Sequence, residues 1–90
     1  MADTVVPRTI VETPLYQAEV SQLGVSVRDL DEKLKDLLFV IARIPEEFPT
    51  VADTGLRVAH YVGNPPLRVY FSSTPTHINL LSVEKVELNA

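Results

Sequence analysis

Several side chains in the second half of the chain have the chemistry to bind a phosphate and to transfer protons. Cleavage of RNA without a metal requires activation of a 2′-hydroxyl, stabilisation of the charge on the phosphate and protonation of the leaving oxygen. Arginine suits the phosphate, and tyrosine or histidine suits the proton transfers. The candidate catalytic residues of this kind are Arg57, Tyr61, Arg68, Tyr70 and His77.

The same residue types also have a purely structural explanation. An arginine beside a tyrosine on neighbouring strands commonly makes an ordinary contact between a cation and an aromatic ring. His60 falls among the apolar positions of its segment, which favours a histidine in the core or at the sheet edge over a catalytic one. The sequence leaves both explanations of the arginines and tyrosines open.

The charge of the chain is distributed unevenly. A net charge of −4 and a pI of about 5.0 argue against a general nucleic-acid binder, which needs a surplus of lysine and arginine. Of the 12 acidic residues, however, all but Glu84 and Glu87 lie at or before Asp53. Residues 54–83 therefore contain two arginines and both histidines but no acid, and a face formed by them would be locally positive.

Length and composition predict one globular domain over residues 1–90, with residues 1–7 and 88–90 frayed. The chain has 46% hydrophobic and 22% charged residues, which is enough apolar surface for one core. It has no cysteine and only two histidines, so no disulfide, metal site or cofactor is expected. No segment approaches the roughly 18 apolar residues of a membrane span, and no leader is evident, which predicts a cytoplasmic protein that does not contact a membrane.

The first half of the chain predicts one strand and one short helix. Residues 8–12 form the expected strand. Thr13 and Pro14 have the residue types of a helix cap and a first helical position, and the short helix should run to Leu23. Gly24 is placed to end it.

A second, longer helix carries the strongest local signal. Ser26 and Asp29 resemble a capping box, and the helix should end at Pro45. Apolar residues at spacings of three and four predict one buried stripe, formed by Val27, Leu30, Leu34, Leu37, Leu38, Ile41 and Ile44. The opposite face should be solvated and carries Arg28, Asp29, Asp31, Glu32, Lys33, Lys35 and Asp36.

After a loop over residues 45–55, which Phe48 and Val51 should pin to the core, the apolar period changes to two. Residues 56–62 and 67–72 then form a hairpin around a four-residue loop that pairs Val62 with Leu67. In this register Arg57, Tyr61, Arg68 and Tyr70 share the face that the helices leave uncovered.

A last strand over residues 76–83 should turn Ile78 and Leu80 towards the helices, and His77, Asn79 and Leu81 away from them. The predicted fold class is α+β in the order β-α-α-β-β-β, with both helices on one face of an antiparallel sheet.

Six segments spread over nearly the whole chain carry a recognisable pattern. They are Thr13-Pro14, Leu30-Asp31-Glu32-Lys33-Leu34, Pro45-Glu46-Glu47-Phe48-Pro49, Gly55-Leu56-Arg57-Val58, Leu67-Arg68-Val69-Tyr70-Phe71 and Leu80-Leu81-Ser82-Val83-Glu84. Together they resemble the RelE/ParE superfamily of type II toxins. The resemblance implies this fold, a cognate antitoxin as partner, and either ribosome-associated mRNA cleavage or gyrase poisoning. Arg57 and Arg68 match strand arginines of the family, and Arg68 is the closer match to the arginine that contacts phosphate in the mRNA-cleaving members.

The end of the chain departs from the family pattern. Cleaving members follow the last strand with basic residues and a tyrosine or histidine, whereas here residues 84–90 contain two acids and one cation, Lys85. The departure predicts weak or lost cleavage. The alternative is a non-catalytic module of the same fold that binds a partner protein or a gyrase-type target, and a third hypothesis is a self-associating domain that forms a homodimer through an exposed strand edge.

Overall fold

The computed structural model describes residues 6–63 and 65–86, except for the side chain of Val27. The predicted fraying at both ends falls almost wholly outside these residues. The elements are β1 (Thr9–Glu12), α1 (Pro14–Gln22), α2 (Val27–Arg43), a 3-10 turn (Pro45–Glu47), β2 (Arg57–Tyr61), β3 (Leu67–Ser73) and β4 (His77–Lys85). The predicted order of elements is confirmed.

The four strands form one sheet in the order β1-β4-β3-β2. The three C-terminal strands are antiparallel, as predicted, but β1 lies parallel to β4, so the sheet is mixed. The helices between β1 and the hairpin strands carry the chain across one face of the sheet, which lets β1 and β4 lie side by side in the same direction. No helix among the described residues is long and apolar enough to cross a membrane.

Local hydrogen bonds explain where the two helices begin and end. The Thr13 hydroxyl accepts a bond from the Tyr16 amide at 3.4 Å and donates to the Leu80 carbonyl at 2.8 Å, which ties the start of α1 to β4. Gly24 follows α1 with φ of +80°, a conformation that favours glycine. The Ser26 hydroxyl accepts from the Asp29 amide at 3.1 Å and caps α2.

The buried stripe of α2 is confirmed at its centre and differs from the prediction at two positions. Leu30, Leu34 and Ile41 are buried, and the neighbouring leucines pack partly against the core. Ile44 is instead 43% exposed, because it caps the end of the helix with a non-helical backbone, φ −135° and ψ 60°. Asp31 was expected on the solvated face, yet it is half-buried and its Oδ1 atom has no hydrogen-bond partner.

The core lies between the helices and one face of the sheet. Alternate residues of β3 are buried, and the Phe71 ring meets the Phe48 ring edge to face at 5.6 Å between centroids. This contact confirms that Phe48 pins the loop to the core. Ile78 and Leu80 of β4 are buried as predicted.

The predicted hairpin register is wrong by one residue. Tyr61, and not Val62, pairs with Leu67, and Val62 is left 94% exposed. A shift of one residue moves every side chain of β2 to the other face of the sheet, because the side-chain period of a strand is two. Arg57 and Tyr61 therefore lie on the helix side of the sheet, while Val58 and His60 lie on the uncovered side.

Packing of the Tyr61 ring accounts for the register. The ring packs against the core and lies over Gly63, where any side-chain carbon would collide with it. Burying an aromatic ring removes more apolar surface from water than burying Val62 would. As a consequence, five residues instead of the predicted four separate the paired positions Tyr61 and Leu67.

Arg57 has a structural role and does not lie on the uncovered face. Its guanidinium donates to the Phe48 carbonyl at 2.7 Å and reaches the Glu46 carbonyl at 3.5 Å, so it holds the loop after α2 against β2. A hydrogen bond from a charged donor to a partly buried carbonyl, such as that of Phe48, contributes more to stability than one between neutral groups.

Replacing Arg57 with alanine should therefore destabilise the fold, by about 1 kcal/mol in the free energy of unfolding. Urea denaturation followed by circular dichroism measures this difference. Arg28→Ala, which removes an exposed arginine of α2, is the matched control and should change stability by less than about 0.5 kcal/mol. Equal stability of the two variants would show that the Arg57 contacts do not support the fold.

Candidate active site on the open sheet face

The uncovered side of the sheet, called the open face here, carries a row of polar side chains across three strands. His60 on β2 stands opposite Arg68 on β3, and Arg68 stands opposite Glu84 on β4. Directly opposed residues of antiparallel strands have their Cβ atoms roughly 4.5–5.5 Å apart. Tyr70 lies two residues further along β3 on the same side. These four residues are called the open-face cluster.

A β-bulge in β4 places Glu84 in this row. The pairing shifts by one residue between Tyr70 and Phe71, which leaves Leu81 as the extra residue of β4. Without that residue Val83 would stand opposite Arg68 and would be turned to the open face. With it, Val83 is buried and the Glu84 carboxylate faces Arg68.

One carboxylate oxygen of Glu84 contacts both of its neighbours. Glu84 Oε2 lies 2.9 Å from Arg68 Nε and accepts a hydrogen bond from the Tyr70 hydroxyl at 3.0 Å. The contact between Arg68 Nε and Glu84 Oε2 is an ion pair whose geometry is not that of a hydrogen bond. The Nε atom is shielded from water and has no hydrogen-bond partner. The two charged side chains are 39% and 43% exposed, and a ligand on the open face can reach both.

The environment of Tyr70 favours its protonated form. Partial burial raises the pKa of the hydroxyl, the hydrogen bond to Glu84 and the carboxylate charge raise it further, and the Arg68 charge lowers it. Tyr70 is therefore a proton donor at neutral pH, and the Glu84 carboxylate beside it accepts its hydrogen bond.

The open face carries less positive charge than the sequence predicts. Among the described residues, Arg68 is the one lysine or arginine that the strands present on this side, and Glu84 offsets its charge. The expectation of a face on which two arginines act together does not hold, because Arg57 lies on the other side of the sheet.

The structure brings together only two of the five candidate residues. Arg68 and Tyr70 are neighbours on the open face, but Tyr61 lies on the helix side. His77 begins β4, seven residues from Glu84, which is roughly 20 Å along a strand. Its Nδ1 atom contacts the Thr76 hydroxyl at 2.7 Å. Tyr61 and His77 are thus separated from Arg68, by the sheet and by distance respectively.

Sequence reasoning missed two members of the cluster. The predicted register puts His60 on the apolar face, in the core or at the sheet edge. It lies on the edge strand β2 but is exposed on the open face. Glu84 was treated as part of an acidic end, although it is one of only two acids after Asp53 and lies at the end of an apolar strand. Within the described residues, no three histidine or acidic side chains come together as a metal site.

No protein-family model and no curated protein sequence matches the chain. Among solved structures, a chain in the toxin–antitoxin complex RelBE2 from Mycobacterium tuberculosis is similar, with a TM-score of 0.68 and 17% sequence identity. The likeness covers 94% of this chain and 98% of that chain. At this identity it extends to the architecture of strands and helices, and the chain accordingly has a RelE-like α+β fold.

Proposed function

We propose that the chain is the toxin-like component of a type II toxin–antitoxin system in the cytoplasm, and that its open face cleaves mRNA without a metal. The fold supports the first part, because a chain of the same architecture is found in a toxin–antitoxin complex. The observation that carries the second part is the cluster of Arg68, Tyr70 and Glu84 on the uncovered side of the sheet.

The open-face cluster contains the groups that this reaction requires. Glu84, or His60 beside Arg68, removes the proton of the 2′-hydroxyl, whose oxygen attacks the adjacent phosphate to give a cyclic phosphate. Arg68 stabilises the charge on the phosphate oxygens. Tyr70, whose raised pKa keeps it protonated, donates a proton to the leaving 5′-oxygen.

The small positive charge of the open face limits its affinity for RNA. A phosphate must compete with Glu84 for Arg68, and the net charge of −4 gives no general attraction for RNA. Binding at the ribosome would supply the missing affinity, because the ribosome and not the chain would then hold the mRNA. A cognate antitoxin would cover the open face or an adjoining surface and prevent this contact.

The alternative is a non-catalytic module of the same fold that acts on a partner protein, including a gyrase-type target. The ion pair between Arg68 and Glu84 favours it, because both charges are already partly neutralised and Arg68 is less available to a phosphate. Under this alternative the acidic surface of the chain would serve protein recognition.

Controlled induction in bacteria tests the proposal. The wild-type protein should arrest growth and produce cut transcripts, and Arg68→Ala should abolish both while the protein stays folded and soluble. Arg28→Ala removes an exposed arginine far from the open face and should arrest growth like the wild type.

The remaining outcomes separate the two functions. Arrest with intact transcripts would support the protein-binding alternative and exclude cleavage. Equal arrest and equal cleavage by Arg68→Ala would exclude the open-face cluster as the site. Normal growth with folded wild-type protein would count against a toxin of either kind.

A further inference from the structure

A small apolar cavity lies on the opposite side of the sheet from the open-face cluster. Leu23, Val25 and Leu30 line it from the helices and the turn that joins them, and Tyr61 and Leu67 line it from the hairpin. Its volume is about 90 Å³. Because Leu67 and Arg68 are consecutive in β3, their side chains point to opposite faces, and the cavity is separate from the proposed cleavage site.

The size and lining of the cavity suit one aliphatic side chain. Leu30 and Leu67 are almost completely buried, whereas Leu23, Val25 and Tyr61 are half-buried and leave an opening to solvent. At about 30 Å³ for each water-sized group, the space accommodates roughly three such groups, the size of a valine or leucine side chain. Filling it would add dispersion contacts that its apolar lining now lacks.

Two lysines line the same cavity and favour a ligand with negative charges beside its apolar group. Lys33 of α2 and Lys85 at the end of β4 both contribute to its lining, although both residues are exposed overall. Their alkyl stems can cover the apolar wall while the ammonium groups stay in water. Neither forms an ion pair with another described residue. In a chain with a net charge of −4, the lining of this apolar opening thus carries two cations and no acid.

We propose that this cavity is a docking site for an acidic segment of a partner protein. One aliphatic side chain of that segment fills the cavity, and carboxylates before and after it pair with Lys33 and Lys85. The apolar contact supplies affinity, and the two lysines select acidic over basic segments. The site operates whether or not the open face cleaves RNA.

Tyr61 controls the width of the opening. Its ring lies over Gly63 and forms one wall of the cavity, so its position depends on the absence of a side chain at residue 63. The hairpin register that places Tyr61 on the helix side of the sheet is thus what forms the cavity.

Titration of the ¹⁵N-labelled full chain with a synthetic peptide, Asp-Glu-Leu-Glu-Asp, tests the proposal by NMR. Saturable shifts are expected at the amides of Leu23, Val25 and Leu67, with little change at Arg68 or Tyr70. A peptide with alanine in place of leucine, and a peptide with lysine in place of every acid, should each bind at least about tenfold more weakly.

Charge-reversal variants test the role of the two lysines in binding. Because both lysines are exposed, their replacement should leave the fold intact. The double variant Lys33→Glu/Lys85→Glu should weaken binding of the acidic peptide by about tenfold or more. Lys35→Glu, which reverses an exposed lysine of the same helix outside the cavity, should leave binding nearly unchanged. Three results would overturn the proposal: no saturable shift with the wild type, shifts centred on Arg68, or equal binding by the leucine and alanine peptides.

Discussion

Replacement of Phe71 with alanine is expected to remove about 3 to 5 kcal/mol from the free energy of unfolding. Phe71 lies in a central strand, is completely buried and meets the Phe48 ring edge to face. The truncation loses the apolar transfer energy and the aromatic contact, and it leaves a cavity that a sheet held on both sides cannot close. A domain of this size has a total stability of only about 5 to 15 kcal/mol, so much of it would be lost.

Urea denaturation followed by circular dichroism measures this effect, with Phe39→Ala as the matched control. Phe39 is 57% exposed on α2 and its ring contacts the Arg43 guanidinium at 3.5 Å, so its removal should cost less than about 1 kcal/mol. A smaller loss of stability for Phe71→Ala than for Phe39→Ala would contradict the position of the core.

The second large effect is expected at Glu12, whose carboxyl group lies between β1 and α2. Burial raises the pKa of Glu12 from 4.5 to about 7. The neighbouring Asp31 adds to the shift, because its carboxylate can accept a hydrogen bond only from the protonated Glu12 and its charge repels the ionised form. Two carboxyl groups can bond to each other only when one carries a proton. The folded state therefore retains a proton on Glu12 that the unfolded state releases.

Because of this difference, the protein is expected to lose stability as the pH rises. Between pH 4.5 and about 7 the unfolded chain binds fewer protons at Glu12 than the folded chain, so the free energy of unfolding falls as the pH rises. The contribution is fully present below pH 4.5 and is lost above about pH 7. Glu12→Gln should remove this dependence and raise stability at pH 8 by about 1 to 2 kcal/mol, a value reduced because the carboxyl is partly in water.

Denaturation of the wild type and Glu12→Gln at a series of pH values from 4 to 8 measures the effect. Glu32→Gln, which changes an exposed acid of α2, is the control and should keep the wild-type dependence on pH. If Glu12→Gln lost stability with rising pH as steeply as the wild type, another group would be responsible.

The helices could be predicted from the sequence because their signals are local. Thr13 and Ser26 cap the helices within three residues of their own positions, and Gly24 ends the first helix through its own backbone conformation. The predicted division of α2 into a buried stripe and a solvated face depends only on helical spacing, and it fails where a tertiary contact intervenes. Asp31 is such a case, because Glu12 on another element lies against it.

The candidate site could be predicted only in part because it depends on strand register, which distant contacts decide. Packing of Tyr61 favours a register of β2 that differs by one residue from the predicted one. In this register His60, and not Arg57, lies on the open face. The bulge at Leu81 then brought Glu84 opposite Arg68. Neither shift has a signature in the local residue pattern, since alternating segments fit either register equally well. The sequence predicts the correct face for Arg68 and Tyr70 because the burial of residues along their strand alternates without interruption.

Cleavage of mRNA in a cell-free bacterial translation reaction tests the role of the open face most directly. Purified protein is added to translating ribosomes, and the ends of the transcript are mapped by primer extension. Wild-type protein and Arg28→Ala should cut the transcript at the same positions, and Arg68→Ala, folded to the same extent, should leave it intact. Intact transcripts with folded wild-type protein, or equal cleavage by Arg68→Ala, would contradict the assignment of RNA cleavage to the open-face cluster.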